Sequence, residues 1–172
     1  MSDSIQYGNA QFKKFLSHPE IQALIEQLAA RIRQDYEGKT LHLVSVLKGA
    51  FVFTSDLMRA LKMDVEIDFV RLSKASGTVT LLKDISRDVR GKHVLIVEEI
   101  IDSGRSLKFL RDRLLASAPE SLEIVTLLDK TAKRVVEVPV KYVGRKVDDQ
   151  FLIGYGLDLE EKERNLADIY SM

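Results

Sequence analysis

The sequence predicts an α/β protein built on a parallel, twisted sheet flanked by helices. Two observations carry this expectation. Strand-like apolar runs alternate with helix-period segments through the first two thirds of the chain, the order that yields a parallel sheet. One run, Val94-Leu95-Ile96-Val97, is wholly apolar and mostly β-branched, as befits a strand covered on both faces.

Each element has its own signal. Ser17-His18-Pro19-Glu20 marks a helix start, where Ser17 caps, Glu20 reaches back and Pro19 fits the first turn. Ile21, Leu24, Ile25, Leu28 and Ile32 then share one helical face, and Gly38 is a stop. Residues 41–47 read as a strand, and Ala50, Phe53, Leu57 and Leu61 follow at helical spacing. Residues 65–70 alternate as a strand does, and residues 78–82 form another. After the central run, Leu107, Leu110 and Leu114 recur helically until Pro119, and residues 123–128 supply the next strand. In the last third, residues 140–144 and 151–153 read as shorter strands with no long helix between them.

A length of 172 residues and the lack of any linker or repeat argue for one domain, residues 1–172. The chain has no cysteine, which excludes a disulfide framework, a thiolate metal site and a cysteine nucleophile. Lys plus Arg total 26 and so do Asp plus Glu, so no basic excess points to nucleic acid. No apolar run approaches the ~20 residues of a membrane helix. The N-terminus has neither the basic start nor the apolar stretch of a signal peptide. A soluble, cytoplasmic protein is expected. Three scattered histidines argue against a histidine-rich metal site.

The chemistry concentrates after the central strand, in Glu98-Glu99-Ile100-Ile101-Asp102-Ser103-Gly104-Arg105-Ser106-Leu107. Two adjacent acids and a third precede a turn of small residues and then a helix. In open parallel sheets, ligands gather beyond the carboxyl ends of the strands. A helix N-terminus preceded by small residues offers free N–H groups to a phosphate. Ser103 and Ser106 add hydroxyls, and Arg105 adds charge. The acids suit sugar hydroxyls, a bound Mg2+ or proton abstraction. The turn is neither a Walker A loop nor a dinucleotide fingerprint, having one glycine and no Gly-Lys-Ser/Thr ending.

This stretch resembles the phosphoribosyl-diphosphate (PRPP) motif of the type I phosphoribosyltransferases. With Leu47-Lys48-Gly49-Ala50-Phe51, Asp68-Phe69, Leu127-Leu128-Asp129-Lys130, residues 151–158 (Phe-Leu-Ile-Gly-Tyr-Gly-Leu-Asp) and Arg164-Asn165-Leu166, the chain is similar to the short bacterial hypoxanthine-guanine phosphoribosyltransferases over about residues 10–170. The resemblance implies the type I fold with a small hood made from N- and C-terminal segments. It implies transfer of the phosphoribosyl group from PRPP to a 6-oxopurine with Mg2+, in a homodimer or homotetramer, with no nucleic acid or membrane partner.

It also implies roles. Glu98 and Glu99 contact the ribose hydroxyls and, with Asp158, the metal. Asp102 is the general base or proton relay near purine N7. Asp102, Ser103, Gly104, Arg105, Ser106 and Leu107 hold the 5′-phosphate. Lys48 and Gly49, preceded by a cis peptide, hold pyrophosphate together with Arg164. Lys130 reads the purine O6, Phe151 stacks on the ring, and Leu152 and Asp158 complete the purine site. Two departures stand out. Glu99 occupies a position where the family usually has Asp. The family's long Ser-Tyr lid is replaced by the short stretch Val70-Arg71-Leu72-Ser73-Lys74-Ala75-Ser76-Gly77-Thr78. These favour a more open site with a weak hold on PRPP, and they motivate a rival reading, a catalytically impaired paralogue that binds PRPP or nucleotide as a regulator.

Overall fold

Val94, Leu95, Ile96 and Val97 are fully buried, and the strand that carries them lies inside a six-stranded sheet. The computed structural model describes residues 3–75 and 78–172. In chain order the elements are β1 (Ser4–Tyr7), β2 (Ala10–Leu16), α1 (His18–Asp35), β3 (Leu41–Leu47), α2 (Phe51–Leu61), β4 (Val65–Ala75) and β5 (Thr78–Lys83). Then come β6 (His93–Ile101), α3 (Arg105–Leu115), β7 (Ser121–Asp129), a single 3-10 turn (Thr131–Lys133), β8 (Tyr142–Lys146), β9 (Leu152–Ile153) and β10 (Ile169–Ser171).

The large sheet has the order β5-β4-β3-β6-β7-β8, parallel except for the edge strand β5. Side-chain alternation divides its core in two. Leu43 and Leu95 face α1 and α2, meeting Ile25, Leu28, Phe53 and Leu57. Val44 and Ile96 face α3, meeting Leu107, Leu110 and Leu114. The predicted helix start is present: the Ser17 N–H donates to Glu20 Oε2 at 2.8 Å and the Ser17 hydroxyl donates to the same oxygen at 2.6 Å.

Two features differ from the sequence reading. Strand β6 continues to Ile101, so Glu98 and Glu99 lie within a strand, not beyond it. The expected lid is not a loop: β4 extends through Ala75 and pairs with β5 as a hairpin, Leu72 opposite Leu81 and Lys74 opposite Val79. The expected flexible tip, Ser76-Gly77, lies outside the described residues. The hood is an antiparallel sheet, β1-β2-β10-β9, around Phe12, Ile153 and Tyr170. Its N-terminal strands have short, mixed polar and apolar patterns that gave no separate signal.

Asp168, 4% exposed, joins hood to body. Its Oδ1 accepts the His18 N–H at 2.7 Å, and Lys14 Nζ lies 3.4 Å from its Oδ2. Burial alone would raise this carboxyl, but the His18 N–H and Lys14 outweigh burial and hold it below the usual value of 3.8. Asp168→Ala strands a buried donor, so urea denaturation should show a loss of about 1–3 kcal/mol at neutral pH. Because the folded-state value is depressed, that margin is present above pH 3.8 and fades as pH falls through the lower folded value.

Candidate active site

The sheet topology places one crevice. From β3 the chain crosses to β4 on one side, whereas from β6 it crosses to β7 on the other. Adjacent strands β3 and β6 therefore flank a topological switch point, where open α/β sheets leave room beyond their carboxyl ends. The turn after β3, the end of β6, the first turn of α3 and residues 156–164 close around it. They border a cavity of about 360 Å3 that gathers Lys48, Gly49, Glu98, Glu99, Asp102, Ser106, Asp158 and Arg164. A larger hollow of about 640 Å3, near Arg33, Tyr36 and Asp64, lies at the opposite end of the sheet and draws none of these residues.

Glu99 sits at the centre. It is 9% exposed, and its Oε2 is buried without a hydrogen-bond partner among the described residues. Its longer side chain fits because Gly49 has no side chain: a Cβ there would overlap the Glu99 carboxylate. Gly156 has φ +100°, and a Cβ there would overlap the Gly49 carbonyl oxygen. The peptide between Leu47 and Lys48 is cis. Burial, and then the Glu98 charge, push the Glu99 carboxyl well above its ordinary value, while Arg164 acts in the opposite direction. Glu98 is also pushed up, to about 8, chiefly by burial; the Glu99 N–H and the charge of Lys74 oppose this.

The structure does not gather Glu98, Glu99 and Asp158 into a ready three-carboxylate metal cage; no such cluster occurs among the described residues. Consecutive strand residues point to opposite faces, which separates Glu98 from Glu99. Asp158 is already engaged, its Oδ1 2.9 Å from Arg164 Nη2 and its Oδ2 accepting the Glu161 N–H at 2.9 Å.

Beyond β6, Gly104 precedes α3 with φ +81°. Only glycine suits that conformation, and a Cβ would also crowd the Val136 carbonyl. The Ser103 carbonyl is anchored by the Val135 and Val136 N–H groups at 3.0 and 3.2 Å. The first turn of α3 leaves the N–H groups of Arg105, Ser106 and Leu107 without helical acceptors. The Ser106 hydroxyl is buried and unpartnered among the described residues. Gly104, Ser106 and Leu107 line a recess of about 20 Å3 beside Glu98 and Asp102, while the Arg105 side chain is exposed.

The register of β6 on β7 pairs Ile101 with Asp129, so the next residues also meet. The Lys130 N–H donates to the Ile101 carbonyl at 3.0 Å, and Lys130 Nζ lies 3.3 Å from Asp102 Oδ1 and 3.5 Å from Asp149 Oδ1. Lys130 is only 6% exposed. Phe151 is 45% exposed at the hood, its ring 6.3 Å from that of Phe12. Leu152 packs its side chain into the core, leaving only backbone groups to offer a ligand.

Sequence reasoning missed two residues. Glu161 is not among the residues singled out above, yet its carboxylate pairs with Lys48 at 2.6 Å and with Arg164 at 3.3 Å. Lys74 was placed in a lid loop, yet the hairpin sets it against the cavity. Neither residue stands in a recognisable motif.

The chain matches the family model described as "Phosphoribosyl transferase domain" over residues 11–160. It is 40% identical over 157 residues to the hypoxanthine-guanine phosphoribosyltransferase of Staphylococcus aureus, covering 88% of each chain. It is 42% identical over 161 residues to the hypoxanthine phosphoribosyltransferase of Haemophilus influenzae, covering 88% of this chain and 90% of the relative. A crystal structure of a hypoxanthine-guanine phosphoribosyltransferase from Bacillus anthracis superposes with TM-score 0.89 at 45% identity, covering 92% of this chain and 96% of that one.

The raised value of Glu98 has a consequence for stability. A carboxyl at about 8 when folded and 4.5 when unfolded holds its proton in the native state between those values. The stability it confers is full below pH 4.5 and is lost as pH rises through about 8. Thermal melts of ligand-free wild type and Glu98→Gln should therefore diverge in favour of the variant between pH 5 and pH 8.5. A constant difference would contradict the assignment.

Proposed function

The chain belongs to the phosphoribosyltransferase family, and we propose that it is a 6-oxopurine transferase that joins hypoxanthine or guanine to PRPP in a Mg2+-dependent reaction, releasing pyrophosphate. The observation that carries the purine assignment is the contact between Lys130 and Asp102. A 6-oxopurine presents O6 and N7 side by side on one edge. The Lys130 ammonium donates to O6, and the Asp102 carboxylate receives the N7 proton. Adenine presents an amino donor at the first position and meets another donor. Exposed Phe151 provides the ring on which the base stacks.

The sugar phosphate lies across the switch point. The first turn of α3 and the Ser103, Arg105 and Ser106 side chains hold its 5′-phosphate, and Glu98 and Glu99 face the ribose. Lys48, Gly49 and Arg164 receive the diphosphate once Glu161 yields its place on the two cations. The chain's own work is to hold both substrates in line, exclude water and take the N7 proton. The bond between purine N9 and C1′ forms as the C1′–diphosphate bond breaks.

The oxygen donors fit Mg2+: Glu99 Oε2 is buried and unpaired among the described residues, and a carboxylate or two plus substrate phosphates is the usual Mg2+ environment. When bound, the ion would supply positive charge to offset that of the leaving diphosphate. Of the three acids, Glu99 would hold it, being the carboxylate with an unpartnered oxygen among the described residues. Glu99 in place of Asp is accommodated by Gly49, which removes the main support for an impaired regulator. We further take residues 1–172 as one catalytic domain in the cytoplasm. A homodimer or homotetramer belongs to the same proposal, with exposed Phe51 at the start of α2 offering apolar surface.

Steady-state assays with PRPP, Mg2+ and hypoxanthine, guanine or adenine test this reading. Transfer to both oxopurines and not to adenine is expected. Asp102→Asn should lower turnover by about 10²–10⁴-fold, the usual worth of a general base. Lys130→Ala removes a charged donor, so hypoxanthine transfer should fall about 10–100-fold and the margin over adenine should collapse. No transfer to any purine would overturn the reading.

A further inference from the structure

Most cations around the cavity are already paired. Lys48 holds Glu161, Arg164 holds Asp158 and Glu161, and Lys130 holds Asp102 and Asp149. Lys74 is different: its ammonium makes no hydrogen bond or ion pair among the described residues. The side chain is exposed on β4, yet it lines both the main cavity and the small recess beside the α3 turn, together with Glu98, Asp102 and Ser106. Its charge is close enough to act on Glu98.

The hairpin fixes this position. Lys74 stands opposite Val79 and Ser73 opposite Thr80, so the ladder of backbone bonds runs past the cavity mouth. Leu72, on the same side of the strand by the two-residue repeat, also borders the cavity. The cover expected from a long loop is thus supplied by strand residues. An unpaired cation, held on a strand beside a helix start with a buried, unpartnered Ser106 hydroxyl, is complementary to a phosphate.

We propose that Lys74 is a further substrate-binding residue, which contacts the 5′-phosphate of the sugar substrate at the α3 turn. This rests on the phosphoribosyl-transfer reading above and adds to it a cation that the hairpin brings. Lys74 acts on the phosphorylated sugar and leaves the purine site untouched. A longer polar lid is unnecessary for that contact because the strand itself delivers the charge.

The test compares wild type with Lys74→Ala, Lys74→Met and Lys74→Arg. Calorimetry with Mg2+ present measures binding of PRPP, ribose 5-phosphate and pyrophosphate, each added alone. Loss of one charge-assisted bond at an exposed position should weaken PRPP and ribose 5-phosphate about tenfold in the Ala and Met variants. Arg should restore most of the loss, and pyrophosphate binding should not change. In steady state, KM for PRPP should rise while KM for hypoxanthine and the melting temperature stay fixed, which a merely structural role would not produce. Equal binding of ribose 5-phosphate by wild type and Lys74→Ala overturns the proposal, as does weakening confined to pyrophosphate. If wild type binds neither PRPP nor ribose 5-phosphate, the transferase reading itself fails and takes this one with it.

Discussion

The close packing of the Glu99 carboxylate against Gly49 is the constraint around which the site is assembled. It brings the end of β6 against the turn after β3, the two places where the sheet changes winding direction. Gly156 extends the same stack, since only a residue without a side chain can lie against the Gly49 carbonyl. Arg164 is fastened to this layer through the Gly156 carbonyl at 2.8 Å. Three segments far apart in the chain thus meet through contacts that exclude a methyl group at two positions. A carboxyl buried there, with an oxygen left unpartnered, is costly in the ligand-free protein. Such a cost is expected where a ligand later supplies the missing partner.

Electrostatics follow from that packing. The cavity brings Glu98, Glu99 and Asp102 together with Lys48 and Arg164, and these two cations are neutralised internally. Glu161 bridges Lys48 and Arg164 as an anion of the protein's own. It keeps two cations close together that would otherwise repel. Lys130 and Asp102 are held together by the β6–β7 register, so the two residues proposed to read the base and take its proton share one piece of scaffold.

Much of the fold was legible in the sequence because its signals are local. The β3 boundaries matched, and the apolar stripes of α1, α2 and α3 face the core as their spacing requires. The two hood strands at the N-terminus were not legible, since Ser4–Tyr7 and Ala10–Leu16 gain stability from pairing with each other and with β10, distant in sequence. The lid was misjudged for a related reason. Residues 71–75 are polar enough to read as loop, but the ladder with β5 makes them a strand. The acid–turn–helix stretch was legible as a candidate site from its residue types, whereas Lys48, Lys130, Asp158 and Arg164 stood out only through the family resemblance. The switch point was not legible, because winding direction is a property of strand order that no single segment encodes. Lys74 and Glu161 were hidden by lying on elements whose chemistry only the tertiary structure reveals.

The central claim is that the buried Glu99 carboxylate serves the sugar diphosphate and its cation, and not the fold. Calorimetric titration of PRPP with Mg2+ into wild type and Glu99→Gln tests it most directly. The amide keeps the shape over Gly49 and removes the ionisable oxygen. The account predicts that Glu99→Gln folds at least as stably as wild type and binds PRPP with Mg2+ more weakly by about tenfold or more, the scale of a lost charge-assisted contact. Equal affinity in the two proteins would contradict it.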